Sequence, residues 1–132
     1  MRLKYIGLLL LAGFLGSCAQ TGSPAWYSHQ MKVTIREAQE NNQLIQELKI
    51  GMSKKEVVEL MGSPNKTEAY AMKGNKTVEF LFYRTQGWRI HDDSDGDHQF
   101  TPFTFVNDKL EGWGRNYYNR ILKQEIDIKV DK

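Results

Sequence analysis

Met52-Ser53-Lys54-Lys55-Glu56-Val57-Val58-Glu59-Leu60-Met61-Gly62-Ser63-Pro64 reads as a helix with both of its stops. Ser53 and Glu56 have capping-box spacing, and Met52 and Val57 flank the cap as a hydrophobic staple. The helix therefore starts at Lys54. Val57, Val58 and Met61 supply its buried face, Gly62 takes the left-handed conformation at its end, and Pro64 blocks continuation after about two turns. Lys54 and Lys55 oppose the helix dipole by a few tenths of a kcal/mol each, which Glu56 partly offsets. Solvation of the two lysines or a contact surface would account for them.

Outward from this segment the period changes. Upstream, apolar or small residues recur at Met31, Ile35, Ala38, Ile45 and Leu48, interrupted by Asn42, which predicts a first amphipathic helix from about Val33 to Leu48. Downstream, Val78, Phe80 and Phe82 alternate with Thr77, Glu79, Leu81 and Tyr83 as a half-buried strand does. Gly87 to Ile90 extends that strand or starts another. Phe103 to Val106 reads as the next, with Pro102 at its entry, and Asn107-Asp108 as a two-residue hairpin turn into Leu110 to Trp113. Helices followed by strands indicate an α+β fold, here two N-terminal helices packed on a three- to four-stranded antiparallel sheet. The tail mixes two periods: Tyr118, Ile121 and Leu122 are spaced for a helical turn, and Ile126, Ile128 and Val130 alternate like an extended segment.

The N-terminus has a different character. Arg2 and Lys4 precede an apolar run from Ile6 to Leu15, which has signal-peptide length and is too short to span a bilayer, where about 18 or more apolar residues are needed. Leu15-Gly16-Ser17-Cys18 follows and resembles the lipobox of bacterial lipoproteins. A thiolate can attack a lipid donor and form a stable thioether, a reaction serine would not replace. The resemblance implies cleavage before Cys18 and acylation there; one chain anchors weakly and two or more stably, at about 0.8 kcal/mol per buried methylene. A buried cysteine behind an ordinary cleaved signal is the plain alternative. The expected organisation is a signal peptide at 1–17, a lipidated flexible linker at 18–32 and one domain at 33–132.

Cleavage leaves 115 of the 132 residues, enough for a single core. It also removes Arg2 and Lys4, leaving 16 basic against 16 acidic residues, so no basic field argues for nucleic acid. With Cys18 the sole cysteine, disulfides are excluded within the chain and stability rests on apolar burial, which the 11% aromatic content can supply.

Three stretches carry a further resemblance: the lipobox at Cys18, the segment Ile50–Pro64, and the hairpin Phe105-Val106-Asn107-Asp108-Lys109-Leu110-Glu111-Gly112-Trp113. Together they are similar to the small outer-membrane lipoproteins of the SmpA/OmlA (BamE-like) type. That family folds as two helices on a three-stranded antiparallel sheet, a fold also used by β-lactamase inhibitor proteins, so fold alone does not fix function. The resemblance implies a non-enzymatic accessory protein on the periplasmic face of the outer membrane, anchored in lipid and bound to envelope proteins such as the barrel-assembly machinery. Ala19, in place of aspartate, implies sorting to the outer membrane. The acidic loop and Gly112-Trp113-Gly114-Arg115 depart from the family's pattern. An inhibitor-like or ligand-binding lipoprotein on the same fold is the alternative.

The acidic loop His91-Asp92-Asp93-Ser94-Asp95-Gly96-Asp97-His98 concentrates carboxylates and imidazoles. Asp93, Asp95 and Asp97 are the oxygens a calcium ion would use, but an EF-hand frame on Gly96 puts His91 first and Pro102 twelfth, so a solvated loop is the expectation and no metal is assigned. A calcium-responsive module remains the lesser option. Catalysis lacks parts: His29 falls in the linker, and no nucleophile stands on an elbow. No enzyme, and no cofactor beyond the lipid on Cys18, is expected. Trp88, Trp113, Tyr117 and Tyr118 are the candidate partner-binding residues, since Trp and Tyr often anchor interfaces; capping of the core is the competing use of each. Asn65-Lys66-Thr67 and Asn75-Lys76-Thr77 match a glycosylation pattern but read as turns around the helix-to-strand connection.

Overall fold

The computed structural model describes residues 24–72, 74–88 and 96–130, without the side chains of 24, 26 and 125–130. Helix α1 covers Pro24–Leu44 and tightens into a 3-10 turn over Ile45–Glu47. Helix α2 covers Lys54–Met61. Strands β1 (Lys66–Met72), β2 (Lys76–Arg84), β3 (Phe100–Val106) and β4 (Lys109–Trp113) form one antiparallel sheet in sequence order, and α3 (Arg115–Val130) closes the chain. The architecture is α+β, with two N-terminal helices ahead of the sheet.

The capping box of α2 forms as the spacing dictates. Ser53 Oγ accepts from the Glu56 amide at 3.2 Å, and the Ser53 amide donates to Glu56 Oε2 at 2.7 Å. Gly62 ends the helix at φ +78°. Lys54 is only partly solvated: its Nζ lies 2.8 Å from Glu79 on β2 and 3.8 Å from Asp108. Those carboxylates, Glu79 foremost, raise its pKa and compensate its place at the positive end of the helix.

Alternation along β2 and β3 divides the core between the two faces of the sheet. Leu81, Tyr83, Phe103, Phe105 and Leu110 meet Leu48, Val57 and Met61 from the helices on one face. Val78, Phe80, Phe82 and Phe100 meet Ile121 of α3, with Tyr117 and Tyr118 packed against them, on the other. Each fully buried aromatic or aliphatic side chain contributes roughly 1.5–3 kcal/mol. Asn107 and Asp108 carry φ of +47° and +67°, the pair of positive values that a type I′ hairpin needs.

Five features differ from expectation. The helix begins at Pro24, not Val33, so residues 24–32 are helical and not a linker; proline is favoured in a first turn, where its missing N–H goes unused. The stretch expected to be turns between α2 and β2 holds β1, paired from Lys66↔Phe82 to Met72↔Lys76, with Asn75 in its hairpin turn at φ +58°. The tail is one helix to Val130 and not an extended segment, because Gly114 at φ +99° redirects the chain out of β4 and Tyr117, Tyr118 and Ile121 have an apolar sheet face to cover. Pro102 stands within β3, opposite Phe82, and Trp88 is outside any strand.

Candidate functional site

The connection leaving β2 is where the sheet, α1 and the 3-10 turn Asp97–Gln99 meet. Asn41 Nδ2 donates to the Arg84 carbonyl at 2.8 Å, Asn42 Nδ2 to the Thr85 carbonyl at 2.9 Å, and the Trp88 amide to Thr34 Oγ1 at 3.0 Å. These bonds hold α1 lengthwise along residues 84–88. Trp88 is 8% exposed, and the ring of Tyr27 stacks on it at 5.8 Å. Met31, Ile35, Gln86, Gly87 and Trp88 line an open groove of about 450 Å³. Arg84, buried at the head of this connection, ion-pairs through Nε with Glu37 at 3.2 Å, donates through Nη1 to Gln99, and lies 4.6 Å over the Phe100 ring.

The four aromatics predicted to bind a partner do not form one patch. Trp88 lies beneath Tyr27 on the α1 side. Trp113 packs at 6.2 Å on Phe103, in the cluster shared with α2. Tyr117 lies over Gly112, where a Cβ would be 3.1 Å from the ring, and the Arg120 guanidinium stands 4.7 Å from the ring centroid. Tyr118 fits edge-on to Phe80 and Phe82 and donates its hydroxyl to Glu68 at 2.9 Å. Gly112 and Gly114 thus have structural reasons: room for Tyr117, and the turn into α3. Burial pushes the hydroxyls of Tyr83 and Tyr118 up to about 12, with Glu68 adding to the effect on Tyr118.

Cys18, Asp93 and Asp95 lie outside the described residues. Asp97 is within 3.6 Å of Lys66 Nζ, and Arg115 Nη2 donates to its carbonyl. Among the described residues no cluster of three or more His, Cys, Asp or Glu is placed to hold a metal, and no helix is long and apolar enough to cross a membrane.

The two edges of the sheet are unequal. Residues 51–54 run along β4: Gly51 donates to the Leu110 carbonyl and Leu110 to the Met52 carbonyl, both at 2.8 Å, and Ser53 bridges Lys109. Strand β1, at the other edge, pairs with β2 without a bulge, and among the described residues no strand pairs with its outer side. Thr67, Ala69, Tyr70 and Ala71 are exposed along it. Sequence reasoning missed this surface because it missed the strand.

A family model described as a protein of unknown function (DUF3192) matches residues 21–120. The chain belongs to this family. The DUF3192 match begins after Cys18 and runs from ahead of α1 into α3, so it takes in the groove and both sheet edges. No curated protein and no solved structure matches the chain.

Proposed function

We propose that the protein is an outer-membrane lipoprotein, anchored through Cys18 on the periplasmic face, and a non-enzymatic accessory in envelope assembly that binds β-barrel polypeptides or the machinery handling them. One observation carries this reading: the outer edge of β1, which no strand among the described residues covers. An edge strand leaves a row of backbone N–H and C=O groups unpaired, and natural sheets usually blunt it with proline, a bulge or charge. Here the pairing has no break and Thr67–Met72 holds one charge, Glu68, which accepts hydrogen bonds from Tyr70 and Tyr118. A barrel polypeptide awaiting assembly presents unpaired strands, the chemistry that strand addition recognises. The lipobox and the likeness to SmpA/OmlA lipoproteins supply the compartment.

The test is a photo-crosslinking residue at Ala69 of the intact lipoprotein in cells, with adducts identified by mass spectrometry and Cys18→Ser as control. Adducts to outer-membrane barrel proteins or barrel-assembly components from the lipidated form alone are expected. Adducts to one soluble periplasmic protein from both forms would replace this reading with an inhibitor-like one.

A further inference from the structure

We infer that the N-terminal half of α1 lies on the membrane surface, with Tyr27, Met31 and Ile35 set into the headgroup layer. The inference rests on lipid attachment at Cys18, part of the function proposed above, and adds to it the face the domain turns to the bilayer.

Residues 19–23 separate Cys18 from Pro24. At most about 3.6 Å per residue, they hold the start of α1 within about 20 Å of the anchor. The helix then advances about 1.5 Å per residue, which brings Tyr27 only about 5 Å farther along. On a helix of 3.6 residues per turn, Tyr27, Met31 and Ile35 fall within an arc of about 80°, and Lys32 and Arg36 lie beside it at about 140° and 180°. Tyr27 and Ile35 are 38% and 41% exposed, two of five exposed large apolar side chains among the described residues; Val33, at 38%, lies on the opposite face of the same helix. Residues 24–36 contain no carboxylate; the first is Glu37, and among the described residues Arg36 makes a solvent-exposed 3.8 Å pair with Glu40. An apolar stripe along the rim of the groove, with cations on one side of it and on the helix nearest an anchor, suits an interfacial helix on anionic lipid, and tyrosine and tryptophan favour the headgroup level. The groove between this stripe and Trp88 then opens toward lipid.

Because the lipid consumes the Cys18 thiol, Tyr27→Cys, Ile35→Cys and Lys55→Cys each place a single reactive thiol in the lipoprotein. Lys55 serves as the aqueous control, its side chain 83% exposed on α2. Each is nitroxide-labelled and reconstituted into phosphatidylethanolamine/phosphatidylglycerol vesicles, and collisions with oxygen and with a water-soluble nickel chelate are compared. Oxygen collisions should exceed nickel collisions at 27 and 35 and fall below them at 55. Two sites keep the test valid if one label disturbs packing. Lipidated protein in which 27 and 35 behave like 55 overturns the orientation alone. Shielding of 27 and 35 from both reagents also overturns it, by showing that polypeptide or an acyl chain fills the groove. Absence of a lipid adduct on Cys18 by mass spectrometry overturns the anchor and this inference together.

Discussion

Alanine at Gly87 tests how firmly α1 is clamped to the connection after β2. The backbone at Gly87 has no positive φ, so reduced freedom of the unfolded chain would by itself make alanine stabilising by about 0.4–1 kcal/mol. The new Cβ would, however, lie 3.1 Å from Ile35 Cα and 3.3 Å from its Cβ, and closer than 3.0 Å to its Cγ1. Ile35 Cα belongs to a helix tied down by the Thr34–Trp88, Asn41–Arg84 and Asn42–Thr85 hydrogen bonds, so retreat stretches all three. Overpacking costs about 1–3 kcal/mol and outweighs the entropic gain, for a net loss of about 1–2 kcal/mol. At about 4–8 °C per kcal/mol, calorimetry should show Tm lower by about 5–15 °C. Ile35→Ala removes Cγ1 and, with Ile35 41% exposed, should itself cost about 1 kcal/mol or less. In the double variant the Gly87→Ala penalty should therefore shrink by about 1 kcal/mol. A neutral Gly87→Ala, or strict additivity with Ile35→Ala, would refute the clamp.

Ser53→Ala should lower unfolding free energy by about 1 kcal/mol in urea titration, since it removes the cap of α2. The hydrogen bonds from the Ser53 amide and hydroxyl hold the Glu56 carboxyl below the usual range, so its contribution is present above the unfolded-state pKa and lost as pH falls through the folded one. Glu56→Gln should accordingly flatten the acid limb of a Tm–pH curve below about pH 4.5. Tyr83 and Tyr118, pushed up to about 12, stay protonated when the unfolded chain would release their protons near 10. Stability should thus decline as pH rises from 10 toward 12, and ultraviolet titration should show two tyrosines ionising only as the fold is lost. Gly112→Ala, which puts a Cβ 3.1 Å from the Tyr117 ring, should destabilise by about 1–2 kcal/mol and alter the near-ultraviolet tyrosine signal.

What the sequence disclosed was what short-range chemistry decides. The α2 cap, its Gly62-Pro64 stop and the Asn107-Asp108 turn each depend on residues a few positions apart, and all three occur where read, with Gly62 at φ +78° and ψ −168° in place of the left-handed helical conformation. Strand β2 was legible from its alternation, although the half-buried strand expected there is covered on both faces, by the cluster that holds Leu81 and Tyr83 and by the one that holds Val78, Phe80 and Phe82. Strand β1 was not, because one face is bare and needs only Thr67, Ala69 and Ala71, while its other face spends Glu68 on tyrosine hydroxyls from its own strand and from α3. Ile126, Ile128 and Val130 suggested an extended segment by their two-residue spacing, yet the helix there is set by Tyr117, Tyr118 and Ile121 a turn or more earlier. The first turns of α1 escaped notice because the groove residue that meets them, Trp88, is distant in sequence. The aromatics picked out for recognition share one physical ambiguity: a large ring that anchors a partner and one that caps a core have the same composition signal.

Partial burial leaves Trp113, Tyr117 and Tyr118 with both uses: each ring packs on the core and still presents an edge to solvent. Among the described residues the backbone edge of β1 and the stripe on α1 are further surfaces. The two are physically joined by Asn65. Its Nδ2 donates to Glu37 of α1 at 2.7 Å, its Oδ1 accepts from the Arg84 amide at 2.9 Å, and Glu37 in turn pairs with Arg84 at 3.2 Å. A membrane that orients α1 therefore also aims the first residue of β1, immediately after Asn65. Asn65→Ala removes the link while leaving Tyr27, Ile35 and the β1 backbone in place, and for a solvent-exposed side chain should cost only about 1 kcal/mol. If anchor and edge work as a unit, this variant should keep its membrane attachment and its fold but give fewer photo-adducts at Ala69 than the parent. An unchanged adduct yield would mean that the edge finds its strand without help from the helix, and that the tether serves only to raise local concentration.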